Sequence, residues 1–475
     1  MNTKSNYYNW FQKLISVLID IFFYWASIVT LFVFVSSFNG IIKYVLFVVL
    51  LLIYGLVIYF FKDKIKIIID RLLNSVSKLN VRKMLIIITL LMIVLKIIYT
   101  MLFYFDATSD TDIEIYNFLA QYMVDSGEIF TNTISHLFGT AIHFALFKIL
   151  HIPLHVGVFV FILCGTIVNF LSFKDIVGKD KAFIAVMTYI IMPSTSMLSM
   201  SPTHEIFVYT YLSFFVYLLN RLLKYDDKEI LYGFLLVVDI FVLCLVNPVG
   251  LITYVILGLL ILLSNFVYRK KIILIVVLVL SIFCSNFKDS YLNVSSSKTS
   301  INTYTILIHG SNPESLGEQV DGYPLEMMKK YLDENGLEKT DDNYVIAGRK
   351  VLMDNYLYLI SHPVVLMKII LHKTYILWSG DHYALEMGHH FNAYNDIVYY
   401  GLLLINTLIY LMMITIGWVY KTKKDDEIGV NNYKLVILGT IAVTMISIVL
   451  NKYDLYITLF IYFIAIYYMR TDNDC

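Results

Sequence analysis

The segment MLIIITLLMIVLKIIYTMLFYFDATSDTDIEIYNFLA (84–120) holds an apolar run that gives way abruptly to acids. Its first part, to residue 103, matches the roughly 20 apolar residues a helix needs to cross hydrocarbon. Asp106, Asp110, Asp112 and Glu114 follow at once, and no Lys or Arg appears before Lys148. On the other side of the run stand Lys62, Lys64, Lys66, Arg71, Lys78, Arg82 and Lys83. Cations before a span and acids after it give the span a direction, because short basic loops stay in the cytoplasm.

The rest of the chain repeats the pattern. Of 475 residues, 59% are hydrophobic and 15% charged, against about 45–50% and 25% in a soluble domain. A water-soluble enzyme, a disulfide scaffold and a disordered chain are excluded. Apolar runs fall near 14–36, 41–61, 84–103, 156–173, 182–198, 205–223, 230–247, 249–268, 272–286, 398–419, 433–450 and 455–470. The expected fold is therefore an all-α polytopic membrane protein of about 12 transmembrane helices. The first run is long and lacks a small-residue cleavage site, so it reads as a retained span.

Alternation puts Lys174, Lys179 and Lys181 on the cytoplasmic side. Arg221, Lys224, Lys228, Arg269, Lys270, Lys271, Lys421, Lys423, Lys424 and Arg470 join them, provided that 136–150 does not cross. That stretch is expected on the outer surface. Both termini are then cytoplasmic. Thirty-six basic residues balance 36 acidic ones, so no basic surface suggests nucleic acid. Cys164, Cys244, Cys284 and Cys475 show no ligand spacing and read chiefly as small hydrophobes.

Four regions follow. Residues 1–83 are a two-helix membrane extension with a basic cytoplasmic loop, and 84–286 a transmembrane core carrying the acidic outer loop 104–155. Residues 287–397 form a large extracytoplasmic loop ending in an interfacial helix at 364–378, and 398–475 return to the membrane. In the interfacial helix Lys368, His372 and Tyr375 share one stripe.

Asp110 or Asp112 precedes an amphipathic helix with Tyr116 and Ala120 on one face. Such an acid caps the helix by accepting from its free amides, or serves as a general base that must reach a hydroxyl proton. Glu205, beside His204, opens a later span and is equally a helix-start carboxylate. His382, Glu386 and His389 have i, i+4, i+7 spacing, though Gly380 and Gly388 weaken a helical alignment. Trp378 and Tyr383 are placed to stack on a sugar or to sit in the interfacial aromatic belt.

The order of a span, an outer acidic loop with D-x-x-x-Y-x-x-x-A (Asp112 to Ala120), a surface helix, and P-x(11)-E (Pro193 to Glu205) resembles the GT-C glycosyltransferases. That group includes the protein O-mannosyltransferases and lipid A aminoarabinose transferases. The segments INTYTILIHGSNPESLGEQVDGYP (301–324) and KTYILWSGDHY (373–383) resemble uncharacterised Gram-positive members, and the likeness spans roughly 84–470. Many relatives have Asp-Glu where this chain has Asp112-Ile113, which leaves Asp110 and Asp112 both open as the equivalent acid. Lys452-Tyr453 stands where an Arg-Tyr is usual.

The resemblance implies transfer of a sugar, with inversion, from a polyprenyl-phosphate donor to an acceptor hydroxyl on the outer face. Asp112 or Asp110 would be the base and Glu205 its support. Lys373, Lys452 and Arg349 would bind the donor phosphate, with Lys350 and Lys368 as further candidates, since cations stabilise charge growing on a leaving phosphate. Some relatives hold a divalent ion, for which His204 and Glu205 are the candidate ligands. The Ile-, Lys-, Asn- and Tyr-rich composition suggests a bacterial cell membrane.

Two rival classes stand beside this one. A transporter or flippase draws support from Asp20, Lys96 and Asp239 inside spans, and Lys96 and Asp239 lie at depths that would let them pair. An O-antigen-type polymerase or ligase would use outer arginines, of which Arg349 is the one available.

Overall fold

A computed structural model of the chain describes residues 3–33, 35, 40–105, 111–128, 135–247, 250–263, 266–291, 296–318, 320, 322–378, 383–420, 428–446 and 457–468. All regular structure among them is helical. The chain opens with α1 (Thr3–Val33), α2 (Ile41–Ser77) and α3 (Val81–Phe103), followed by the shorter α4 (Thr111–Ser126) and α5 (Ser135–Ile149). Next come α6 (Leu154–Val177), α7 (Lys179–Ile191), α8 (Pro193–Met197), α9 (His204–Lys224), α10 (Glu229–Val246), α11 (Leu251–Leu263) and α12 (Tyr268–Tyr291). Then follow α13 (Ser296–Gly310), α14 (Tyr323–Glu334), α15 (Asp341–Ser361), α16 (Pro363–Trp378) and α17 (Tyr383–His390). The chain closes with α18 (Asp396–Val419), α19 (Ile428–Ile446) and α20 (Thr458–Tyr468).

Local chemistry sets several boundaries. Asn80 caps α3 by accepting from the Lys83 amide at 2.9 Å, and Asn395 caps α18 by accepting from Val398 at 3.1 Å. Pro193 removes an amide and holds Met192 extended, so α7 and α8 meet at a 68° bend. The bent segment is buried throughout from Pro193 to Met197.

Among the described residues eight helices are long and apolar enough to cross a bilayer, or nine if α7 and α8 count as one broken span. The other three expected spans coincide with α11, α12 and α20. As described, α11 and α20 have 13 and 11 residues, about 20 Å or less at 1.5 Å per residue, against roughly 30 Å of hydrocarbon. α9 lies at the centre, packed on α6 and α10. By contrast, α2 keeps most of its surface outward, as a lipid-facing helix does.

At one end of the bundle the basic loops are joined to one another. Lys179 Nζ donates to the carbonyls of Ser77 at 2.9 Å and Leu79 at 2.5 Å. Arg221 pairs with Asp175 at 2.8 Å, Lys224 donates to the Asp175 carbonyl at 3.0 Å, and Lys270 to that of Leu223 at 2.6 Å. Tyr420 donates to the Lys62 carbonyl. Loops that the charge pattern assigned to one side are thus neighbours in space. α13, α14 and α15 form a separate small unit around Ile308, Met328, Leu332, Ala347 and Val351.

Candidate functional site

α4 places Asp112 in its first turn; the Asp112 side chain, Asp110 and Lys452 lie outside the described residues. Ile113, Tyr116 and Ala120 fall on one face of α4 and are buried. That face packs on α5, where the Phe144 ring meets Tyr116 edge-on at 5.9 Å. The Tyr116 hydroxyl lies 3.0 Å from His204 Nδ1, and His204 Nε2 lies 3.0 Å from Glu205 Oε1.

His204 and Glu205 are the first two residues of α9 and both are buried, Glu205 completely. A carboxylate there faces the positive end of the helix dipole. His204 Nε2 comes within pairing distance of the Glu205 carboxylate, and its Nδ1 shares a hydrogen bond with the Tyr116 hydroxyl. Tyrosine, histidine and glutamate form a short buried polar cluster where α4 meets the start of α9. The sequence gives the acidic loop and the start of α9 as separate candidates; the bond from Tyr116 to His204 is what joins them in the structure. Its signal was the spacing of Tyr116 and Ala120, which marked a buried face without naming a partner.

A second histidine braces the same region. His143 on α5 bonds the Gly139 carbonyl through Nδ1 at 2.7 Å and Tyr211 Oη through Nε2 at 2.7 Å. Burial pushes its pKa down, which favours the neutral ring that donates to the carbonyl and accepts from the tyrosine. α17 packs on α8, and Phe391 just beyond α17 stacks on Phe105 with centroids 5.9 Å apart. Tyr394 donates to the Leu385 carbonyl, fixing this cover.

The candidate phosphate ligands are dispersed. Lys373 is fully buried, and its ammonium donates to the Met445 carbonyl at 2.9 Å and that of Thr444 at 3.5 Å. It thus binds the C-terminal turn of α19, the favourable end for a cation. Gly317, at φ +88°, passes so close that a Cβ there would stand 2.4 Å from Lys373 Cε. Burial lowers the Lys373 pKa to about 8. Arg349 and Lys368 are exposed, and Lys350 pairs with Asp354 at 2.8 Å. His372 is bonded to Glu318.

His382 and the side chains of Trp378 and Tyr383 lie outside the described residues. His389 pairs with Asp396 at 2.7 Å. Among the described residues no group of three or more His, Cys, Asp or Glu side chains is arranged to hold a metal ion. Among the described residues Lys96 and Asp239 form no ion pair with each other; Asp239 instead lies within electrostatic reach of Tyr211. Comparison with known proteins finds no matching family model, no similar curated protein and no similar solved structure.

Proposed function

We propose that the chain is a multi-pass cell-membrane glycosyltransferase of the GT-C type. It would move a sugar from a polyprenyl-phosphate donor to an acceptor hydroxyl of an envelope glycan, lipid or protein. The observation that carries this reading is the Tyr116–His204–Glu205 contact. It brings together the two loose motifs on which the resemblance rests.

In this reading the basic end is cytoplasmic, as are both termini, and α11, α12 and α20 complete about 12 spans. α4, α5 and α16 are outer juxtamembrane helices. Asp112 or Asp110 takes the acceptor proton, and one displacement at the sugar carbon inverts its configuration. The His204–Glu205 pair sits at the opening of α9 and is the candidate ligand pair for a divalent ion. Lys452 and Arg349 are the cations available to the donor phosphate, while Lys373 reaches it only on leaving the α19 carbonyls.

The test is transfer of labelled sugar from polyprenyl phosphate by purified protein, comparing wild type with the Asp110→Asn, Asp112→Asn double variant. Loss of transfer with retained folding supports the base; full activity removes it. A transporter is the second reading, favoured by the break between α7 and α8, since broken helices mark many carrier sites. Solute uptake into liposomes that Asp239→Asn abolishes would establish it instead.

A further inference from the structure

At the basic end of the bundle, α6, α9 and the start of α19 border a cavity of about 420 Å³. Small-molecule sites run from roughly 300 to 1,000 Å³, so the space suits a compact organic ligand rather than a single ion. Arg221 in its wall stands 17 residues along α9 from His204, roughly 25 Å at 1.5 Å per residue. The cavity is therefore separate from the candidate site described above.

One wall is cationic and held in place. The Arg221 guanidinium carbon lies 5.0 Å from the ring centres of both Tyr217 and Tyr225, and Asp175 bonds one of its edges at 2.8 Å. Lys224 donates to the neutral Asp175 carbonyl at 3.0 Å, and no acid among the described residues pairs with its ammonium. Two cations against one carboxylate leave this lining with one positive charge, which calls for an anion. A braced guanidinium suits phosphate in particular.

The opposite wall is neutral, and it is the inner one, since Ser172 is buried and Lys224 exposed. Ser172 Oγ accepts from Tyr433 Oη at 2.6 Å and from Asn220 Nδ2 at 3.3 Å, which leaves its own proton to donate. Asn432 Nδ2 donates to Asn220 Oδ1 at 2.7 Å. The Oδ1 atom of Asn432, a fully buried residue, has no hydrogen-bond partner among the described residues. Gly429 adds no side chain to the space; a Cβ there would stand 3.6 Å from Asn220 Oδ1. A hydroxyl donor and amides within, tyrosine rings between and cations at the rim match a flat nitrogenous ring joined to a phosphate.

We infer that this cavity binds a water-soluble nucleoside monophosphate, its phosphate on Arg221 and Lys224 and its base against Ser172 and Asn220. That the ligand comes from the cytoplasm rests on the topology proposed above. The binding itself depends neither on that topology nor on sugar transfer.

Full-length protein in a neutral detergent is titrated with the 5′-monophosphates of adenosine, guanosine, cytidine and uridine, with the four nucleosides, and with ribose 5-phosphate, followed by calorimetry and native mass spectrometry. The tightest monophosphate is expected to bind at least tenfold more strongly than its own nucleoside or ribose 5-phosphate. Gly429→Met, which puts a side chain into the space and removes no polar group, should abolish binding. Lys224→Gln, at an exposed position, should weaken it at least fivefold and serves alone should Gly429→Met fail to fold. Absence of binding by all four monophosphates, or unchanged affinity in Lys224→Gln, overturns the site. Equal binding of the nucleoside removes the phosphate contact, and equal binding of ribose 5-phosphate removes the base. Binding to inverted but not right-side-out membrane vesicles supports both site and topology; the reverse keeps the site and overturns the topology.

Discussion

The phenolic oxygen of Tyr116 stands 3.0 Å from Nδ1 of His204, a contact made across 88 residues of chain. It fixes α4 against the opening of α9 with a directional bond. The other nitrogen of the same imidazole lies 3.0 Å from the Glu205 carboxylate.

Tyr116→Phe keeps the ring packing on Phe144 and deletes the hydroxyl. Leaving a buried imidazole nitrogen unpaired should cost about 1–2 kcal/mol of stability, read by thermal unfolding in detergent. In the transfer assay Tyr116→Phe and Glu205→Gln should both slow turnover, Glu205→Gln by about 100-fold if it supports the base. Wild-type rates in both would show that the cluster is only a brace.

Lys373 gives a pH signature. Its pKa falls from the ordinary 10.5 to about 8 on burial. Below about pH 8 both folded and unfolded forms are protonated, and the burial penalty is present in full. Between about 8 and 10.5 the unfolded chain binds more protons, so this residue's contribution to stability rises with pH. The difference in unfolding temperature between wild type and Lys373→Met, followed from pH 7.5 to 10.5, should move in wild type's favour. A flat difference would mean that the ammonium is not desolvated.

Asp175 accepts from Arg221 at 2.8 Å, with both side chains about one-fifth exposed. Asp175→Asn should destabilise by about 1–2 kcal/mol, between the values for surface and buried pairs. A double-mutant cycle with Arg221→Gln measures the coupling, and additive effects would remove the pair as a source of stability.

Gly139 lets α5 approach α10 closely: a Cβ there would stand 2.3 Å from the Leu245 carbonyl oxygen. Gly139→Ala must push backbone away from backbone, at a cost of about 1–3 kcal/mol. Because His143 bonds the Gly139 carbonyl, the displacement should also loosen α5, raising amide exchange across α4 and α5 ahead of α9. Unaltered exchange would show that the two helices yield without consequence.

Much of the helical layout was legible because apolar runs of span length leave little choice in a bilayer. Charge placement also grouped the loops of Lys179, Arg221 and Lys270, each of which bonds a neighbouring loop of that group. What stayed hidden was azimuth. Hydropathy gives the depth of Lys96 and Asp239 but not the direction each faces, and the two point to different neighbours. Lys373 shows the same limit. Its neighbours Lys368, His372 and Tyr375 marked the polar stripe, yet the ammonium lies under a loop whose Gly317 lacks a side chain to obstruct it. A fold-back of 56 residues leaves no periodic trace in the helix it covers. The apolar run through Pro193 predicts one span, whereas α7 and α8 meet at 68°, because proline signals a break without fixing its angle.

The carbonyl ties made by Lys179, Lys224, Lys270 and Tyr420 act as a pivot. Helices clasped at their roots can part only like the blades of forceps, with an amplitude that grows toward the opposite tips. Any breathing that admits a guest should therefore be widest near Tyr116 and His204, and cutting a tie at the root should alter admission without touching the guest.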